Sequence, residues 1–129
     1  MVLNFTGAGG WSNLGGKGPD FGNDPVIRLT GVGLTADGRV IDLEVSNLTE
    51  YMPKNSANNG ANTNGIVNIN LAGTQDAGGA ETSLSFKLVE HGTETLVEVT
   101  RFRISFYDFD TGSAAGDGRE CLTYDPAHV

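Results

Sequence analysis

Apolar residues recur at every second position in several stretches of this chain, and no run of ten or more residues holds them at helical spacing. In 39–46, "RVIDLEVS", Ile41, Leu43 and Val45 fall on one face while Asp42 and Glu44 fall on the other. That is the pattern of a half-buried strand with one wet face. In 82–90, "TSLSFKLVE", Leu84, Phe86 and Leu88 form the inward row. The stretches 2–6, 26–32, 66–71, 94–99, 101–110 and 120–124 bring the set to about eight strands. Asp37-Gly38, between Leu34 and Val40, is a strong hairpin signal, and "EHGTE" (90–94) is a second tight link that places His91 in a turn. Two linkers are long, 7–25 and 49–65. The second, with its two Asn-Gly pairs, reads as a mobile surface loop. The expected fold is all-β, an antiparallel β-sandwich or jelly roll in a single domain over 1–129.

Composition supports a packed core. Leu, Ile, Val and Phe supply 32 of the 129 residues, above the range of disordered chains. The net charge of −8, with 8 Lys plus Arg, repels phosphate backbones and anionic lipid, which argues against nucleic acid as a partner. No apolar run is long enough for membrane insertion, and the first residues lack the basic and apolar regions of a signal peptide. The single Cys121 allows no internal disulfide; its place in a strand predicts a buried, inert thiol, with pairing outside the chain left open.

The charge pattern changes the picture most at "FRISFYDFD" (102–110). Phe102, Ile104 and Phe106 share a face, and Asp108 and Asp110 continue that row. Two unpaired carboxylates in a core are prohibitively costly, so the pair belongs at its rim, where a hard cation offsets their repulsion. Ca²⁺, with six to eight oxygen ligands and loose geometry, suits the site. The following loop, "TGSAAGDGRE", adds Asp117 and Glu120, and a hairpin of the last two strands would bring Asp108, Asp110 and Glu120 together. The competing reading has these carboxylates cap the turn or pair with Arg101, Arg103 or Arg119. An EF-hand is rejected, because Gly112 stands at the fifth position and Arg119 at the twelfth, where a glutamate is required. In "LGGKGPDFGNDP" (14–25), Asp20 is a further candidate ligand; "GGKG" lacks the Lys-Ser/Thr order of a phosphate loop.

Catalytic constellations are poor. His91 and His128 have no serine elbow to serve, and Cys121 has no evident histidine partner. The expectation is a non-enzymatic module; a small glycan-active enzyme using Asp108 or Glu120 is the enzymatic alternative. Small β-sandwiches commonly bind sugars through exposed aromatics or a bound Ca²⁺, an analogy at the level of fold. Trp11, Tyr51 and Tyr107, with Phe21, are the aromatics least committed to a core. The candidate partners are a polysaccharide or cell-surface glycan, or further copies of the chain in a calcium-stabilised surface layer or filament.

Two stretches, "LGGKGPDFGNDPVIRLTGVG" with "GRVIDLEVSN", and "FRISFYDFDTG" with "GRECLTY", resemble uncharacterised extracellular β-sandwich modules of marine microalgae and bacteria. In those modules an aromatic-rich strand ends in an acidic D-x-D turn. The resemblance covers most of the chain through short motifs. It implies a secreted or cell-surface location, an all-β fold and calcium, with ligand roles for Asp108, Asp110 and Glu120. The glycosylation triplets at Asn4 and Asn47 agree with that location.

Overall fold

A computed structural model describes residues 1–72, 81–101, 103–107 and 121–125. Among these the regular structure is all-β and antiparallel, with six strands: β1 (Gly9–Ser12), β2 (Ile27–Leu34), β3 (Val40–Asn47), β4 (Gly60–Ala61), β5 (Val67–Asn68) and β6 (Leu84–Glu90). Four form one sheet in the order β1-β2-β3-β6, and β4-β5 is a two-stranded ribbon. The alternation in 26–32, 39–46 and 82–90 marks β2, β3 and β6. Asp37-Gly38 turns β2 into β3: the strands meet at Leu34 and Val40, the Thr35 amide donates to the Arg39 carbonyl, and Gly38 takes φ 87°.

One side of the sheet carries the apolar row. Ile27, Leu29, Leu43 and Val45 are buried there with Leu14, Val32 and Tyr51, and Leu3, Phe5, Ala61, Val67, Phe86 and Leu88 pack around them. Ile41, fully buried, continues the β3 row. The segment 49–65 lies largely at the surface and is bonded within itself. Its Asn55, Asn59 and Asn62 side chains, with Asn70 beyond it, each accept backbone amides, and Tyr51 is buried at its start.

The opposite side departs from expectation. Asp42 and Glu44 were expected on a wet face, yet they are 1% and 8% exposed. The turn after β6 folds over them. There the Thr93 amide donates to the Glu90 carbonyl, and the chain returns along β6 through bonds from Glu90 N to Thr95 O and from Val97 N to Leu88 O. Residues 94–99 thus begin to pair with β6, with Leu96 bridging Val89, but form no extended strand. The described parts of 101–110 and 120–124 carry no strand, and residues 2–6 form none, although the Asn4 amide reaches the Val32 carbonyl. Ile104 and Phe106 are 44% and 40% exposed; Phe106 sets its ring edge-on to Phe86 at 6.3 Å. Cys121 is exposed rather than buried, because no strand carries it inward.

Candidate functional site

Two clusters of polar groups are built into the sheet, one on each side of it. The first is ionic. Arg28, 3% exposed near the start of β2, donates from Nε to Asp42 Oδ2 at 3.2 Å, from Nη1 to Glu44 Oε2 at 3.0 Å and Glu94 Oε1 at 3.1 Å, and from Nη2 to the Thr93 carbonyl at 2.6 Å. Asp42 Oδ1 accepts from the Gly31 amide at 2.9 Å and from His91 Nδ1 at 2.9 Å. Since a carboxylate only accepts, Nδ1 carries the ring proton. Burial pushes the Asp42 carboxyl up, but the Gly31 amide, His91 and Arg28 together outweigh it and hold it below its ordinary 3.8. Arg28 thus ties together Asp42, Glu44 and Glu94, and Asp42 also holds the half-exposed His91 ring through Nδ1. The cluster clasps the 91–94 turn to the sheet.

The second cluster lies at the β1 end. Asn13 staples the loop that follows β1: its Nδ2 donates to the Asn23 carbonyl at 2.8 Å and its Oδ1 accepts from the Gly18 amide at 2.9 Å. Within that loop Asp20 closes onto β1 reciprocally, Ser12 N to Asp20 Oδ2 at 2.7 Å and Asp20 N to Ser12 O at 3.0 Å. The Trp11 indole is half-buried, and its Nε1 donates to the Asp24 carbonyl at 3.2 Å. Between this strand end and β4 lies a cavity of about 190 Å³, lined by Trp11, Ser12, Asp20, Asn59, Gly60 and Ala61 among others. A second cavity of about 130 Å³ adjoins it, lined by Phe5, Asn62 and Thr63, with Ala8 and Ala61 common to both.

Ser12 is the informative residue. It is 6% exposed, and its Oγ has no hydrogen-bond partner among the described residues. An unmatched buried hydroxyl costs about 1–3 kcal/mol. The space beside it is kept open by Gly60 at φ 105°, where a Cβ would stand 3.5 Å from Ser12 Cβ and 3.8 Å from Oγ. Ser12→Ala therefore removes an unsatisfied group without breaking a native bond. Its thermal midpoint in the absence of ligand is expected to equal or exceed that of the natural chain; a fall of several degrees would show that Oγ contributes to the fold itself.

The residues singled out by sequence are dispersed. Asp20, a candidate for metal, lines this groove, whereas Trp11, a candidate for ligand binding, borders it along β1 but pairs with Arg28, on the face opposite that of Ser12. Tyr51 departs from the expected ligand-binding role: it is 1% exposed, and its hydroxyl is held by Asn59 and the Asn70 carbonyl. Burial raises the Tyr51 hydroxyl above its ordinary 10.0 against the lowering effect of Asn59, so it stays protonated. Tyr107 is 73% exposed. Asp108, Asp110, Asp117 and Glu120 lie outside the described residues, as does His128. Among the described residues no three His, Cys, Asp or Glu side chains are grouped to hold a metal ion, and no helix is long and apolar enough to cross a membrane. The groove residue that sequence reasoning missed is Ser12; its only sequence signal is adjacency to Trp11.

No protein-family model matches this chain, and neither a curated protein nor a solved structure matches it.

Proposed function

We propose that this protein is a non-enzymatic, calcium-binding β-sandwich of jelly-roll type that binds carbohydrate, as a recognition or adhesion module outside the cell or at its surface. One observation supports the binding reading: an open depression of about 190 Å³ beside β1 is lined by Asp20, Leu29, Asn59 and Ala61, next to a buried Ser12 hydroxyl without a hydrogen-bond partner among the described residues. An apolar wall with a few fixed polar groups is what a sugar ring, apolar on its faces and hydroxylated at its rim, requires. Asp20 is the lone carboxylate lining either cavity among the described residues, whereas glycoside hydrolysis uses two carboxyl groups across the scissile bond. This supports binding over cleavage.

The calcium reading rests on residues 108–120, where Asp108, Asp110, Asp117 and Glu120 stand with Arg119 as their one cation. In this reading those four hold the ion, while Asp20 belongs to the groove. Phe106, two residues before Asp108, meets Phe86 of the sheet edge-on, and an ion bound to the native chain alone stabilises it. At a hundredfold excess over its dissociation constant, Ca²⁺ adds about 2.7 kcal/mol. For a domain of this size that is roughly 8 °C in Tm. Melting in Ca²⁺ and in EDTA measures it, and coincident curves would dismiss the ion. The sugar reading is tested separately on a glycan array in calcium; a blank array, sulfated and algal polysaccharides included, discards it.

A further inference from the structure

Resting on the extracellular reading above, we infer that Asn4 is an N-glycosylation site of this domain and that Asn47, which carries the same Asn-x-Thr triplet, is not. The middle residues of the two triplets are Phe5 and Leu48, neither of them proline, so the motif does not choose between them. The group transferred is the oligosaccharide of a lipid-linked pyrophosphate donor. The asparagine Nδ2 forms a bond to C1 of the first sugar, the bond from C1 to the pyrophosphate oxygen breaks, and one amide proton leaves. Transfer acts on the unfolded chain. The fold then decides which modified chain reaches the native state, because a glycan is bulky and needs a surface position.

Asn4 meets that need. It is exposed, in irregular backbone, while its neighbours Leu3 and Phe5 pack against the core. Its main chain is anchored, the amide donating to the Val32 carbonyl at 2.7 Å. Its Oδ1 accepts from the Thr6 amide at 3.0 Å, which leaves Nδ2 without a hydrogen-bond partner among the described residues. A sugar on Nδ2 therefore breaks no native bond. Asn47 is placed in the opposite way. It is the last residue of β3, paired with Leu84, and its parity with Leu43 and Val45 puts it on the core side of the sheet. It is half-buried, and its Nδ2 donates to the Thr49 carbonyl at 2.8 Å. Its Oδ1 lies 3.5 Å from where a Cβ on Gly15 would stand, beside Tyr51. The Thr49 hydroxyl, the third member of the triplet, accepts the Ser83 amide at 2.9 Å. A sugar at Asn47 would have to enter this packed corner and displace its contacts.

The experiment sends the full chain, behind a cleavable signal peptide, through a eukaryotic secretory host. The secreted protein is read by intact mass and by peptide mapping after enzymatic deglycosylation in heavy-oxygen water, which marks each formerly glycosylated asparagine as labelled aspartate. The expected result is an occupancy at Asn4 at least about tenfold that at Asn47. Asn4→Gln is expected to be secreted without the glycan, with the melting temperature of the enzymatically deglycosylated natural chain. Thr6→Ala, which keeps Asn4 but removes the hydroxyl of the triplet, should lose the glycan as well, and Thr6→Ser should retain it. A bare Asn4 in the secreted protein would overturn the inference, and comparable occupancy at both asparagines would overturn the selectivity. The host imposes the secretory route, so either result counts against this inference alone. Detection of the chain solely inside its source cells would remove the extracellular reading and leave the host result standing.

Discussion

Arg28→Ala is expected to destabilise the domain by about 3–5 kcal/mol, the cost of taking from buried Asp42 and Glu44 the cation they share, with only His91 left on the one and Lys87 at 4.0 Å on the other. Asp42 and Glu44, 1% and 8% exposed, would remain facing the space the guanidinium had filled. Since a domain of this kind holds about 5–15 kcal/mol in total, the variant would stand near the edge of folding. The penalty belongs to the broken pair and not to the absence of ions. Replacing the buried set together, Arg28→Met with Asp42→Leu and Glu44→Leu, should recover most of the loss, because no charge then stays desolvated. Urea unfolding followed by Trp11 emission and far-UV circular dichroism measures both. Near-wild-type stability for Arg28→Ala would mean that the carboxylates reach water and that the clasp is not closed.

The same cluster sets an acid limb. Asp42 is held below 3.8 when folded, so the unfolded chain takes up this proton first as pH falls. Its contribution is complete above about pH 3.8 and is lost as pH drops through the lower folded value. Arg28→Ala removes one of the influences that lower it, and its acid unfolding should begin at higher pH than that of the natural chain.

Gly10→Ala is the second large effect. Gly10 pairs with Leu29 across β1 and β2 at φ 111°, and a Cβ there would stand 1.8 Å from the Arg28 carbonyl oxygen. That neighbour is backbone in the central sheet and cannot rotate away. Strained φ and overpacking each contribute about 1–3 kcal/mol, for a sum of roughly 4 kcal/mol. The chain's cheaper escape is to detach β1, which would carry Trp11, Ser12 and the groove with it. Gly38→Ala is the control: φ is 87° but nothing lies within 4 Å of the added carbon, so only the backbone cost of about 1–2 kcal/mol remains. Equal losses for the two variants would show that the close approach at Gly10 is relieved without cost.

Where the alternation was carried by side chains, it located strands within two residues at each end, as in β2, β3 and β6. It failed at β1, read as linker, because Gly9 and Gly10 have no side chain to bear a pattern. It also overextended at 66–71, where two residues pair, and at 101–110, whose described part forms no strand. There the acidic turn and the rest of its setting fall outside the described residues.

Local chemistry along the chain sufficed for the antiparallel all-β class, the Asp37-Gly38 turn and the face on which each strand residue lies, because strand parity and turn geometry are properties of neighbours in sequence. Which groups meet across strands was decided only in three dimensions. From Leu34 opposite Val40, an unbroken hairpin would set Arg28 against Ser46; the irregularity between Leu29 and Gly33 slides the pairing by two residues and sets it against Glu44. A shift of two preserves parity, so the face was legible and the partner was not. Likewise Asp20 stood out in the sequence, but the reciprocal Ser12–Asp20 bonds that bring it beside β1 exist only once the loop has closed on its strand.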